Sequence, residues 1–220
     1  IQYYVSVSAS SGTVSLTGGG DPNGWYPEGT SLNIVATKPT EPERTQNHFA
    51  TWSGSAVYPY DTIGISVDSP ISLVSNWETW YEFVPNADNG TITGTGTGYY
   101  KSGTEVIVNA LPPIAANGER WLPRWYGAAP AYNMSEDSGN PYTISLTLNE
   151  PVTQNVEWIK QYLLNIINTN PFAQVYPYAG FSWQFPGTIV NGYAQYSTDF
   201  YYCDGYVGTG SAPIGNTAFF

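Results

Sequence analysis

Apolar and polar residues alternate along this chain in short runs. In Tyr4-Val5-Ser6-Val7-Ser8-Ala9, Ser31-Leu32-Asn33-Ile34-Val35-Ala36 and Glu105-Val106-Ile107-Val108-Asn109-Ala110 an apolar side chain stands at every second residue. A two-residue period puts those side chains on one face of a β-strand. The runs are five to eight residues long and end at Gly, Pro, Asn or Asp, the residues of turns. The pattern predicts strands near residues 3–9, 13–17, 31–36, 48–52, 62–67, 71–77, 80–84, 91–95, 104–110, 121–125, 142–148, 152–158, 161–167, 173–177, 187–195 and 199–203. No segment carries a helical period, so the expected class is all-β.

The runs recur. Gly29-Thr30 through Ala36 aligns with Gly103-Thr104 through Ala110 and, more weakly, with Gly187-Thr188 through Ala194, at spacings of 74 and 84 residues. Aromatic residues precede each anchor: Trp25 and Tyr26, Tyr99 and Tyr100, Trp183 and Phe185. A second signature follows, Trp52-Ser53-Gly54 and Trp125-Tyr126-Gly127, with Cys203-Asp204-Gly205 in the third copy. The first two repeats close on Trp77 and Trp158, and their opening strands, Tyr4 to Ala9 and Glu82 to Ala87, stand 78 residues apart. Tyr162 to Ile167 aligns as the third opening strand. A period of this size marks a stacked array of small units.

The expected organisation is therefore three modules, 1–78, 79–159 and a partial 160–220, joined by linkers near Glu78 and Ile159. Each would be a small antiparallel β-sandwich, immunoglobulin-like or β-grasp-like, with a core built on Trp52, Trp77, Trp125 and Trp158.

Composition sharpens the class. Charged residues make up 10% of the chain and aromatics 16%, with polarity carried by Tyr, Ser, Thr, Asn and Gly. The net charge of −11 rests on six Lys and Arg against seventeen acids, so no basic stripe exists for nucleic acid or anionic lipid. One cysteine, Cys203, rules out an intrachain disulfide framework, and no apolar run reaches the eighteen residues of a membrane helix. A secreted, extracellular or cell-surface protein with no membrane insertion is expected, its mature chain beginning at Ile1.

With Gly29-Thr30 to Ala36, Trp52-Ser53-Gly54 and Val74 to Trp77, then Gly103-Thr104 to Ala110, Trp125-Tyr126-Gly127 and Val156 to Trp158, residues 1–158 resemble prokaryotic extracellular tandem β-repeats of the internalin B-repeat and bacterial immunoglobulin-like kinds. That resemblance implies a stalk, adhesin or filament segment and no catalysis. It weakens in residues 159–220, where Cys203 replaces tryptophan.

Counting from Cys203 places a third closing strand beyond Phe220, so the last module is expected to lack about two strands and to expose backbone and apolar surface. Either residues not shown complete it, or a neighbouring copy does by strand addition, in which case head-to-tail repetition gives an open filament. The candidate donor is Ile1-Gln2-Tyr3-Tyr4-Val5-Ser6-Val7, with Ile1, Tyr3, Val5 and Val7 on one face.

Site chemistry is sparse. His48 and Cys203 belong to different modules, and the acids Glu28, Asp61, Asp68, Glu119, Glu136, Asp137 and Asp199 lie mostly in turns. No catalytic residue, cofactor or transition-metal site follows. Oxygen-rich turns at Asp21 to Gly24, Asn86 to Gly90 and Ser135 to Asn140 carry donors that suit Ca2+, but none has a full calcium-loop spacing. Asn86 to Gly90 reads as a hairpin turn. Asn89-Gly90-Thr91 and Asn133-Met134-Ser135 are sequons, making Asn89 and Asn133 candidate glycosylation sites and covalent or bound glycans candidate partners. Trp25, Tyr26, Tyr58, Tyr60, Trp80, Tyr99, Tyr100, Tyr132, Tyr176 and Tyr178 fall in or beside expected loops. They suit packing between modules or between copies in a homopolymer, and alternatively the stacking of sugar rings in an adhesin or carbohydrate-binding module.

Overall fold

A computed structural model describes residues 1–17, 23–127, 142–170, 173–196 and 207. The described residues form sixteen strands and no helix. The first module contains β1 (Gln2–Ala9), β2 (Thr13–Thr17), β3 (Asn23–Pro27), β4 (Thr30–Thr37), β5 (Thr45–Gly54), β6 (Thr62–Val67) and the first half of β7 (Ile71–Ala87). The second contains the rest of β7, then β8 (Thr91–Gly94), β9 (Gly98–Lys101), β10 (Glu105–Leu111), β11 (Glu119–Gly127), β12 (Thr143–Thr147) and the first half of β13 (Val152–Ile166). The remainder of β13, β14 (Ala173–Tyr176), β15 (Gly180–Gln184) and β16 (Tyr193–Tyr196) belong to the third.

The chain is all-β, a row of small sandwiches. In the first, the three-stranded antiparallel sheet β2-β4-β6 faces four strands of a larger sheet, β5-β7-β1-β3. The second repeats this, with β8-β10-β12 against β11-β13-β7-β9. One departure from an antiparallel plan lies at the centre of each module's share of the single eight-stranded sheet, where opening and closing strands run parallel: Val5 is beside Ile71, and Phe83 beside Val152. The antiparallel partners match as well, Tyr3 with Tyr26 and Tyr81 with Tyr100. Two units 81 residues apart along their closing strands thus share one hydrogen-bonding plan.

Alternation decides what each sandwich encloses. Val5, Val7, Leu32, Ile34, Ala36, Ile63, Val67 and Leu73 surround Trp52, which is fully buried. Phe83, Val106, Val108, Ala110, Ile144, Leu148, Val152 and Val156 surround Trp125, equally buried. The Trp52 indole N–H donates to the Tyr60 carbonyl at 2.9 Å, and the Trp158 indole to the Asn89 carbonyl at 2.6 Å. Trp158 is buried with the second core, whereas Trp77 is half-buried at the rim of the first, edge-on to Phe49. Truncating an indole of this burial to alanine costs about 3–5 kcal/mol.

Four expectations need correction. Residues 71–77 and 80–84 are one strand, β7, and residues 152–158 and 161–167 are one strand, β13. No linker therefore lies near Glu78 or Ile159, and the boundaries 78/79 and 159/160 fall inside continuous backbone pairing. Asn86 to Gly90 is not a hairpin turn, because β7 and β8 belong to opposite sheets and the segment arches between them. The aromatic segments before each Gly-Thr anchor are the short strands β3, β9 and β15 rather than loops. Finally, Ile1, Tyr3, Val5 and Val7 are no loose donor: Gln2 to Ser6 pair with β3, Val5 to Ala9 pair with β7, and Val5 and Val7 are buried in their own module.

Glycine is required where the two sheets meet the arches. A Cβ on Gly54 would stand 2.1 Å from the Ser72 carbonyl oxygen at φ +120°, and one on Gly127 would stand 2.3 Å from the Thr153 carbonyl oxygen at φ +130°. Both clash with paired backbone that cannot retreat. Gly64 has an ordinary φ and open space at its Cβ. Gly54→Ala and Gly127→Ala are expected to lower stability by about 1–3 kcal/mol or more, while Gly64→Ala leaves it unchanged or slightly raised. Thermal unfolding followed by circular dichroism checks this; equal melting temperatures for the three variants would refute the account.

Candidate interaction surface

Continuous strands bring each module onto the next. Beyond Trp77, β7 still pairs with β5 of the preceding module, so that Thr45 lies opposite Tyr81 and Gln46 opposite Trp80. Beyond Trp158, β13 likewise keeps β11, with Glu119 opposite Tyr162 and Arg120 opposite Gln161. The turn before each of these strands closes the contact. The Glu82 N–H donates to the Arg44 carbonyl at 3.0 Å, and the Leu163 N–H to the Gly118 carbonyl at 2.8 Å. Both turn residues hold a left-handed backbone, Arg44 at φ 60° and Gly118 at φ 78°. A non-glycine residue there is uncommon, and Arg44 is also anchored by its side chain. Its Nε donates to Glu82 Oε2 at 2.6 Å and its Nη2 to the Val152 carbonyl at 3.2 Å, which ties the first module to the closing strand of the second.

The second junction uses different side chains at different places: Arg120 stands where Gln46 stands and Gln161 where Trp80 stands, while Gly118 takes the place of Arg44. Arg120 Nε donates to Gln161 Oε1 at 2.7 Å, and the guanidinium lies 4.6 Å from the ring centre of Trp183. Burial, the larger effect, lowers its pKa from the ordinary arginine value, against a smaller raising influence of Tyr142. Stacking of this kind adds about 0.5–2 kcal/mol. Lys160 bonds Glu119 at 3.0 Å and lies 4.8 Å from the ring centre of Trp121. Arg124 pairs with Glu157 on the more exposed part of the same strands.

These registers also correct the third repeat by one residue. Tyr162 stands where Tyr81 and Tyr3 stand, at an offset of 81, so Leu164 and not Leu163 occupies the position of Phe83 and Val5. A slip of one would turn every side chain to the other face. Accordingly Leu164 and Ile166 are half-buried while Leu163 is exposed.

The first module has no predecessor among the described residues, and its edge equivalent to the one that β5 and β11 cover in the later modules is open. Tyr4 is exposed and packs edge-on against Trp25 at 5.5 Å, and Trp25 is 66% exposed. Other protruding rings are Tyr60, Tyr176, Tyr178 and Phe181. Tyr176 stacks on Tyr193 at 5.4 Å. Tyr26 is buried, and Tyr58, Trp80, Tyr99 and Tyr100 are half-buried. Tyr100 Oη donates to the Gly96 carbonyl, and Trp80 lies against the His48 ring at 5.0 Å.

The remaining candidates are scattered. His48 is exposed, with Nε2 3.2 Å from Gln46 Oε1. Cys203, Asn133, Tyr132, Glu136, Asp137 and Asp199 lie outside the described residues, as do Asp21 and the Ser135 to Asn140 turn. Asn89 is exposed in its arch, and its Oδ1 accepts from the Gly90 N–H. Asn86 is tied to Asn155, and the Asp88 N–H donates to the Val156 carbonyl. Among the described residues no group of three His, Cys, Asp or Glu side chains converges, and no helix is long and apolar enough to cross a membrane. A concavity lined by Thr17, Ser31, Leu32, Asn33, Gly64 and Ile65 is an open depression on β2-β4-β6 without titratable groups in its lining. Comparison with family models, with curated proteins and with solved structures yields no match to the chain.

Glu119 supplies a test of the second junction. Its hydrogen bond with Lys160, the first cause, and the Ala116 N–H hold its carboxyl below the ordinary value of 4.5, against the raising effect of burial. A carboxyl lowered by folding adds stability that is present above its unfolded value and is lost as pH falls through the folded one. Melting temperature should therefore decline as pH drops below about 4.5, and Lys160→Met should remove part of that decline. Identical pH profiles for the variant and the native chain would refute the pairing.

Proposed function

We propose that this chain is a structural subunit of an extracellular filament or pilus-like surface appendage, assembling head to tail by β-strand addition and acting without catalysis. The observation that carries this reading is the continuity of β7 and β13. A strand that closes one sandwich and opens the next leaves no hinge, so load along the array is borne by backbone pairing and not by a flexible tether. Nearest-neighbour contact between repeats is also how solenoid arrays gain stability and length. Low charge and abundant Tyr, Thr and Asn suit an extracellular surface, and copies of the same chain are the natural partners of a repeat whose internal junctions are already self-complementary. Glycans on Asn89 or Asn133 would decorate such a rod.

A second reading is favoured by one observation, the exposure of Trp25. A flat indole beside Tyr4 suits a sugar face, as in an adhesin or a carbohydrate-binding module. The two readings diverge in one set of measurements, sedimentation and negative-stain microscopy at rising concentration alongside glycan calorimetry. The filament reading expects stiff particles that join end to end, and fails if the chain stays dispersed at every concentration. The adhesin reading expects glycan binding that Trp25→Ala abolishes.

A further inference from the structure

The junction between the second and third modules has a counterpart at the start of the chain that nothing among the described residues fills. By strand register Gln2 stands where Gln161 stands, Tyr3 where Tyr162 stands, and Trp25 where Trp183 stands. Gln161 and Trp183 together hold Arg120, one by a 2.7 Å hydrogen bond and the other by its ring face. Gln161 is 5% exposed. Gln2 and Trp25 present the same amide and the same indole on the same face, but Gln2 is exposed and Trp25 is 66% exposed.

The backbone repeats the contrast. Tyr81 and Tyr162 each have a strand on both sides, from Tyr100 and Thr45 in one case and from Gln184 and Glu119 in the other. Tyr3 has Tyr26 on one side, and the pairing of β1 with β7 begins only at Val5. The edge of Ile1 to Tyr4 away from β3 thus corresponds to the edge on which β5 and β11 lie in the second and third modules, and no described strand pairs with it. There the Tyr4 N–H takes the position of the Glu82 and Leu163 N–H groups that donate to Arg44 and Gly118.

We propose that the Ile1–Tyr4 edge with Gln2 and Trp25 is an acceptor site for another β-repeat, one that presents a β11-type strand and an arginine two residues after its turn glycine, as in Gly118-Glu119-Arg120. The guanidinium seats between the Gln2 amide and the Trp25 ring, and the strand pairs with Gln2 to Tyr4. Within the described residues only the second module carries such an arginine, and it is engaged by the third. The partner is therefore a repeat of this chemistry beyond those described. The inference holds whether or not the native chain polymerises, so it goes beyond the filament reading.

The test places a second copy of residues 79–159 directly before Ile1 of the full chain, which preserves register because Lys160 and Ile1 are equivalent positions. Hydroxyl-radical footprinting reads Trp25, and hydrogen exchange reads the Tyr4 amide. The expected result is a severalfold drop in Trp25 oxidation and about tenfold slower Tyr4 exchange relative to the native chain. Arg120→Ala in the added copy alone should return Trp25 toward its native reactivity while Tyr4 stays protected. Trp25 and Tyr4 as reactive in the extended chain as in the native one would overturn the proposal, as would Trp25 protection that ignores the arginine. If circular dichroism and melting reveal that the added module has not folded, the extension is rebuilt as residues 1–159 with its own Trp25→Phe, and the same criteria apply. Filament formation by the native chain is scored separately by microscopy, so either reading can fail alone.

Discussion

The structure depends on one pairing, that of each opening strand with the closing strand of the same module, side by side and parallel at the centre of the larger sheet. Val5 beside Ile71 and Phe83 beside Val152 fix it. A parallel pair cannot be joined by a tight turn and needs a long crossover. Here the crossover is most of the module: everything between β1 and β7 is the excursion that carries the chain over the three-stranded sheet and back. Because the closing strand leaves the module pointing along the direction in which the opening strand entered, it can run on without bending and serve as the next opening strand. An antiparallel central pair would send the chain backwards and demand a linker. The array geometry therefore follows from strand direction, before any contact between modules is considered.

Given that geometry, one glycine and one indole per unit do most of the remaining specification. Gly54 and Gly127 let the strand beside the closing strand end against the Ser72 and Thr153 carbonyls. Trp52 and Trp125 fill the space that the arched chain encloses. The two cores tolerate exchange around this frame. Leu73 and Ser75 of the first closing strand become Gln154 and Val156 in the second, all four buried. Gln154 is accommodated because its Nε2 donates to the Tyr126 carbonyl at 3.0 Å, which meets the need of a buried amide for a partner. The indole and the glycines recur unchanged while aliphatic neighbours vary, as expected where volume and backbone conformation, not residue identity, are the constraint.

Much of this was legible in the sequence because two-residue alternation and an 80-residue recurrence are both direct imprints of the fold. The first two Gly-Thr anchors, their Trp-x-Gly signatures and most strands follow the residue pattern, whereas the strand expected over 187–195 forms only at Tyr193–Tyr196. What stayed hidden has identifiable causes. β3, β9 and β15 are only four or five residues long and include Gly24, Gly98 or Gly180, so propensity reads them as turns; their pairing with the opening strand is a tertiary fact. The unity of β7 and β13 was masked between the cores, where the inward face continues through Thr79 in one strand and Lys160 in the other, half-buried polar positions at which the apolar alternation lapses. The role of Ile1 to Val7 was misjudged for the opposite reason. Its alternation fits an added strand and a resident strand equally, and only the register with Ile71 distinguishes them.

The side chains at the junctions explain why no single motif marks them. Backbone pairing and one carbonyl contact are common to both, at Arg44 and Gly118, but the first is secured by Arg44 with Glu82 and the second by Arg120 with Gln161 and Trp183. An exposed or half-exposed ion pair contributes about 0–1 kcal/mol, so neither set of side chains can be the main source of cohesion. They vary from junction to junction over a generic strand contact, while the continuous strands β7 and β13 fix which module follows which. Glu82 at the second module and the Leu163–Trp183 pair at the third would each receive the other's predecessor poorly: the carboxylate would lose its arginine partner, and the ring would lose its guanidinium. The backbone edges of an array built on shared strands are interchangeable, and the side chains around Glu82 and Leu163 are where one junction differs from the other.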